Sequence, residues 1–392
     1  MMNHLNLATA FAPGLMGPGD KQKLDSIDVA ALMSAGELVT PENFGATGGS
    51  STPGASSRDN VAIQNMLSSG KPCFFDKYYS VDTDIIADFA DSQVGAYIQG
   101  LGTRSGLVLY PGGSLRLEGM NQDNPIGWHQ DQYSLQNFTI FVNYNGSKVP
   151  LTLKADAGDS GSHSPGVNLT NVNVNPTSTS NGSTNTQIEL INIRQGSLVN
   201  VATSGRYGLY SGNGIVHTVD EGSAPVEISN FGVRIAHVAN AFVLKPSTGS
   251  TTYDDAQGHH WFNCTALAVN RGWDLGGGPE GFGEWANIQG CHALFREIGI
   301  YGVNYGNIHA ANNYLLAHGG LGTCQGIAIT GSSIDNYLFL TNNRIRMDAA
   351  TGANRYGINT AAAFGGFSTY NKTTGATNAY GLMAGVTSVG NT

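Results

Sequence analysis

Asn137-Phe138-Thr139-Ile140-Phe141-Val142 is an asparagine followed by a short apolar alternation. The same unit returns as Asn171-Val172-Asn173-Val174 and as Asn230-Phe231-Gly232-Val233-Arg234-Ile235. It comes again as Asn263-Cys264-Thr265-Ala266-Leu267, Gly290-Cys291-His292-Ala293-Leu294-Phe295, Asn313-Tyr314-Leu315-Leu316 and Asn343-Arg344-Ile345-Arg346-Met347. The steps between starts are 34, 59, 33, 27, 23 and 30 residues, the 59 being close to two units. A recurrence of roughly 20–50 residues marks a stacked architecture. Each run reads as a strand, and Asn or Gly suits the left-handed corner that turns the chain. One such coil cannot bury its apolar face alone, but neighbours above and below can cover it. The pattern predicts an all-β fold, a right-handed parallel β-helix (a solenoid). A β-sandwich is the alternative. Leucine-rich repeats would show regular helices, and a propeller would step evenly near about 40 residues.

Composition agrees with this. Of 392 residues, 54 are glycine and only 12% are charged, while 40% are hydrophobic. That describes many short strands joined by turns rather than a helix bundle, which needs Ala, Glu, Lys and Leu. The net charge is −9, with only 19 Lys and Arg. Phosphate backbones need clustered cations, so no nucleic-acid partner is expected. A net charge does not fix local fields, however. Cys73, Cys264, Cys291 and Cys324 lie far apart with no close pair, so buried free thiols are expected rather than zinc or a disulfide framework. No metal or other cofactor is implied. No apolar run is long enough to span a membrane, and Met1–Ala8 carry no Lys or Arg, so neither a membrane partner nor a secretory leader is predicted.

Three segments emerge. Residues 1–36 contain a turn-rich linker, Ala12-Pro13-Gly14-Leu15-Met16-Gly17-Pro18-Gly19, then Asp20-Lys21-Gln22-Lys23-Leu24-Asp25-Ser26-Ile27 with Leu24 and Ile27 at helical spacing. So short a helix must pack on copies of itself or on another protein. Residues 37–350 hold the solenoid. A helix is predicted over 57–67, with Ser57 as N-cap, Asp59 in the first turn and Val61, Ile63, Met66 and Leu67 supplying apolar surface. It sits where a solenoid needs its first open edge covered. Residues 351–392, rich in Gly, Ala, Thr and Asn, end the solenoid or associate with other chains.

Two stretches resemble known families. Asn43-Phe44-Gly45-Ala46 with Gly48-Gly49, then Asn60-Val61-Ala62-Ile63-Gln64-Asn65-Met66-Leu67, then Tyr78-Tyr79-Ser80-Val81, resembles the opening of pectate-lyase-like β-helix proteins. The family's Gly-Asp-Gly is Gly48-Gly49-Ser50 here, and Ser51 to Ser57 look inserted. The match covers about 40 residues and bears on the start of the fold, not on chemistry. Ala12-Pro13-Gly14-Leu15-Met16 with Asp20-Lys21-Gln22-Lys23-Leu24-Asp25 resembles a segment of bacteriophage tail fibre and baseplate proteins. Together these resemblances imply a tailspike: a homotrimer in the virion tail, joined to other tail proteins through its N-terminal segment. Its β-helix would bind, and often cleave, bacterial surface polysaccharide.

Candidate chemistry is densest over 253–297. Three of the four tryptophans, Trp261, Trp273 and Trp285, fall there. Flat aromatic faces stack on sugar rings while polar groups fix orientation. Tyr253, His259, His260 and Arg271 join them as candidate substrate-binding residues. Glycoside hydrolysis needs two carboxyls, one protonated for the leaving group and one to activate water or attack. Asp254, Asp255, Asp274, Glu280 and Glu284 are the candidates. Elimination would instead need a base beside a uronic acid and a cation for the developing charge, for which His259, His260, Arg271 and Arg296 are available. Neighbouring strand positions put one of His259 and His260 inward and the other outward. Gly276-Gly277-Gly278 lacks the following Lys-Ser/Thr of a phosphate cradle and reads as a loop. The expected function is depolymerisation of capsule or O-antigen, by hydrolysis rather than elimination. The alternatives are a non-catalytic receptor-binding or structural tail protein and a free pectate-lyase-like enzyme.

Overall fold

The computed structural model describes residues 38–50, 58–89, 96–120, 132–155, 166–193, 195–219, 227–246, 256–276, 283–319, 322–331, 337–350, 354–360, 365–382 and 386–392. The N-terminal linker and the short helix expected near Leu24 and Ile27 lie outside the described residues. Within them the chain winds into a parallel β-solenoid whose coils carry strands on three ladders. The first ladder is a 12-stranded sheet, taken in chain order from Cys73–Phe74 through Gln132–Gln136 and Ala256–Phe262 to Val386–Val389. The second runs from Tyr78–Val81 through Thr139–Val142 and Arg234–Ala236 to Lys372–Thr374. The third runs from Asp84–Asp88 through Leu151–Ala155 and Asn240–Pro246 to Asn378–Gly381. Thr265–Gly276 and His292–Val303 each pass through both the second and third ladders, which joins them into one 20-stranded sheet.

The corner between first and second ladders is left-handed in coil after coil. Asn137, Asn171, Asn200, Asn263, Asn312 and Asn342 have φ between 51° and 57°, and Gly232 and Gly290 take the same place. Three repeat starts therefore shift slightly: the turning residues are Gly232, Asn312 and Asn342, not Asn230, Asn313 and Asn343. The corner amides also bond along the stack, as in Asn171 Nδ2 to Asn137 Oδ1 at 2.9 Å and Asn342 Nδ2 to Asn312 Oδ1 at 2.7 Å.

The residue after the corner points inward, and its chemistry changes along the axis. Phe138, Val172, Val201 and Val233 are followed by Cys264 and Cys291, then by Asn313, Asn343 and Asn371, all fully or almost fully buried. Buried amides must be partnered. Asn313 Nδ2 donates to Asn343 Oδ1, and Asn343 Nδ2 to Asn371 Oδ1, both at 2.9 Å. All four cysteines are buried free thiols.

Register explains the core. Leu151, Ile188, Ile215, Phe242, Trp273, Ile300, Ile327 and Ile358 follow one another from strand to strand as a single inward column. From Ile215 onward the preceding residue in each coil is small: Gly214, Ala241, Gly272, Gly299, Gly326 and Gly357. A Cβ on Gly272 would stand 2.5 Å from the carbonyl oxygen of Gly299, and one on Gly299 the same distance from Gly326. This repeated small-then-large pair stands in the sequence itself, from Gly214-Ile215 to Gly357-Ile358.

The capping helix spans Asn60–Leu67, three residues shorter than expected, and Asp59 rather than Ser57 is its N-cap residue. Ser57 lies outside the described residues. Ala62, Ile63, Met66 and Leu67 are buried, whereas Val61 is exposed. Asp59 Oδ1 accepts the N–H groups of Thr47 and Gly48, tying the helix to the Asn43–Ala46 segment. Gln64, one turn beyond Asn60, mimics a strand. Its Nε2 donates to Ile86 O at 2.5 Å and its Oε1 accepts the Ile86 N–H at 2.9 Å. At the other end, strands from Asn354–Thr360 to Val386–Val389 continue all three ladders.

Candidate functional site

The two long strands do not run in perfect register. Leu267 pairs with Leu294, Val269 with Phe295 and Arg271 with Ile298, with irregularities on either side of Val269. The first leaves Ala268 unpaired. Its φ is 52°, the only aliphatic side chain in the left-handed region among the described residues. The second leaves Arg296 and Glu297 unpaired on the partner strand. Bulges re-aim side chains, and strained backbone concentrates at functional sites. Here the irregularity lies beside a cluster of charge at the corner between the second and third ladders.

Arg271 is the centre of that cluster. Its Nη1 donates to Asp274 Oδ2 at 3.0 Å, and its Nε lies 3.8 Å from Glu297 Oε2. The guanidinium sits 4.7 Å from the centre of the Tyr301 ring. Asp274 and Tyr301 are register partners on adjacent strands. Arg296 caps the Tyr210 ring at 4.4 Å. Tyr210 belongs to a loop, Gly205–Gly212, that starts three coils earlier. Tyr207 of that loop stands edge-on to His237 at 4.7 Å and is 68% exposed. The loop thus leans along the corner and brings aromatic faces towards the charged cluster.

The two carboxyl groups differ in environment. The Asp274 side chain is 17% exposed and that of Glu297 is 38% exposed. Burial pushes the Asp274 carboxyl above its ordinary range, against the opposing pull of Arg271. A carboxyl held towards its acid form beside a wetter carboxylate and within reach of aromatic rings is suited to acid–base work on a glycosidic bond.

Other sequence candidates scatter. Trp273 is fully buried and stacks on Phe242 at 5.4 Å, so it is a rung of the inward column and cannot meet a sugar. Trp261 is 4% exposed and shares an inward column with Leu198 and Ile288. His259 points inward too: its Nε2 lies 2.8 Å from His217 Nδ1, and His217 Nε2 lies 3.0 Å from Ile193 O. His260 faces out and its ring is parallel to that of Phe262. Trp285 is 40% exposed on the same outer face of the first ladder. Among the described candidates the structure thus joins Arg271 with Asp274 at the surface, while His259 and Trp261 stack at 5.8 Å inside the core. Tyr253, Asp254, Asp255 and Glu280 lie outside the described residues. Glu284 falls on the strand Gly283–Gln289, but its side chain is outside the description.

Glu297, Tyr301 and Tyr210 carried no role in the sequence reading. Aligning Gly272-Trp273 with Gly299-Ile300 would have put Arg271 opposite Ile298 and brought Glu297 alongside. Among the described residues, no cluster of three or more His, Cys, Asp or Glu stands ready for a metal ion. Among them, too, no helix is long and apolar enough to cross a membrane.

No protein-family profile matches the chain, and no curated protein does. It is similar to several solved structures. One is the N-terminal fragment of bacteriophage phi29 gene product 12, at 13% identity over 90% of this chain and 71% of that one, TM-score 0.39. Another is the gp42 tailspike of Acinetobacter phage vb_AbaP_AS12, at 12% identity over 90% of this chain, TM-score 0.43; this chain spans 58% of that tailspike's length. A third is the catalytic domain of a GH87 α-1,3-glucanase in complex with nigerose, at 13% identity over 88% of this chain and 70% of that one, TM-score 0.47.

Proposed function

We propose that this chain is a tailspike-like protein that binds a bacterial surface polysaccharide and hydrolyses one of its glycosidic bonds at the corner built by Arg271, Asp274 and Glu297. The observation that carries the reading is one guanidinium touching two carboxyl groups of unequal burial beside the Tyr301 ring. In this mechanism Asp274, held towards its protonated form by burial, gives its proton to the leaving oxygen. Glu297 activates water or attacks the sugar carbon. Arg271 positions both groups, and Tyr301 and Tyr210 offer ring faces to the pyranose. Attachment to the particle through residues 1–36 and assembly as a homotrimer in the virion tail belong to the same proposal, on the sequence resemblance.

Receptor binding without cleavage is favoured by one feature of the same cluster. Arg271 ion-pairs with both carboxyl groups, as a purely structural network would. The two readings separate on a panel of purified capsule and O-antigen polysaccharides. Release of reducing ends with no rise in absorbance near 235 nm is the expected result. Tight binding with no product would replace cleavage by adhesion, and absorbance at that wavelength would replace hydrolysis by elimination.

A further inference from the structure

The outer face of the second ladder carries a column of side chains in direct register. Thr265, His292, Tyr314, Arg344 and Lys372 succeed one another from coil to coil. Rungs of a parallel ladder stand about 4.8 Å apart, so Arg344 and Lys372 place two cations side by side. Like charges directly opposite are destabilising unless something compensates them. Among the described residues neither has a carboxylate within salt-bridge distance. A third cation, Arg346, lies on the same face of the same strand, where Ile345 between them is buried. Its Nε contacts Asp348 Oδ2 at 3.2 Å, and its Nη1 donates to Tyr314 Oη at 3.3 Å. Three cations thus face one carboxylate, in a chain whose overall charge is −9.

The column continues into rings. Arg344 lies 5.7 Å from the centre of the Tyr314 ring, and Tyr314 is 5.2 Å from the His292 ring. His292 is on the strand that also carries Glu297. The column therefore runs along the solenoid axis from Lys372 and Arg344, over Tyr314 and His292, to Thr265, at the start of the strands whose later residues form the Arg271 corner. At about 4.8 Å per rung, the four side chains cover about 14 Å, enough for several sugar units.

We infer that this strip is a subsite for acidic sugar units, in which Arg344, Lys372 and Arg346 receive the carboxylates of a polysaccharide whose rings rest on Tyr314 and His292. The inference rests on the glycan-binding reading above and narrows it to an acidic polymer. A local cationic field on a net acidic protein also confines such a polymer to one track.

The test pairs each polysaccharide of the panel with the same polymer after its carboxylates are reduced to alcohols. Affinity is measured for the wild-type protein and for the double variant R344Q/K372Q, whose positions are exposed, so that thermal stability should not fall. The tightest-bound polymer is expected to be acidic. Carboxyl reduction should weaken it at least tenfold, and the double variant should show the same loss and a shallower salt dependence. A best-bound neutral polymer, or affinity indifferent to reduction or to the double substitution, overturns the inference while leaving the glycan-binding reading intact. Inorganic phosphate that competes as tightly as the polymer makes the strip a small-anion site and also overturns it. No binding to any polysaccharide defeats both together.

Discussion

Asp274 and Glu297 share the Arg271 guanidinium, yet burial separates them. The raised Asp274 carboxyl keeps its proton to higher pH than an exposed aspartate would. Activity that depends on that proton falls as pH rises through the folded value, and D274N should remove this alkaline limb along with most turnover. A second pair titrates to a different end. Ile193 O can only accept, so His217 Nε2 donates to it and His217 Nδ1 accepts from His259 Nε2–H. Among the described residues His259 Nδ1 has no partner. Burial lowers His217 to about 4 and His259 well below its ordinary value. The unfolded chain binds these protons first, so the pair's stabilisation is complete above about pH 6.5 and is lost as pH falls towards 4. For His217 alone this amounts to about 3 kcal/mol. Urea unfolding at pH 7 and pH 4.5 should show the loss in the wild type. A double variant, H217L/H259F, should show a smaller one; an equal loss in both would remove the histidines from the account.

At the scale of single elements, the left-handed asparagines and glycines were legible because few other residues accept that backbone. The inward or outward sense of each aromatic was not. Trp273 and Trp285 look alike in the sequence, but one continues the column Ile215, Phe242, Ile300 and the other stands outside the sheet. That difference rests on register, and the irregularity around Ala268 moves register by a residue. The small-residue column makes a sharper statement about the elements. In Gly299→Val the new side chain meets a carbonyl oxygen of the next coil. Overpacking of this kind costs about 1–3 kcal/mol, so the melting temperature should drop by several degrees, whereas Ala241→Gly should cost less. The capping helix is testable in the same way. Gln64→Ala frees both backbone groups of Ile86, and light scattering on warming should report earlier aggregation than in the wild type. Unchanged onset would mean the helix covers the edge by its apolar face alone.

For the whole molecule, the architecture was legible in the sequence, and of the proposed site the residues Arg271 and Asp274 were among its candidates. It did not reach the partners that come from other coils. Glu297 lies one coil on and Tyr210 comes from a loop that leans across three, and proximity of that sort follows from stacking rather than from spacing along the chain. Stacking also lets a rod offer a long track along one face: rings at His292 and Tyr314, then cations at Arg344 and Lys372. The direct test of this account is product release from a bound host polysaccharide by the wild type, D274N and E297Q, with binding and melting temperature followed in parallel. Reducing ends are expected from the wild type and at least a hundredfold slower release from each variant, with binding and folding retained. Wild-type rates in both variants would contradict it.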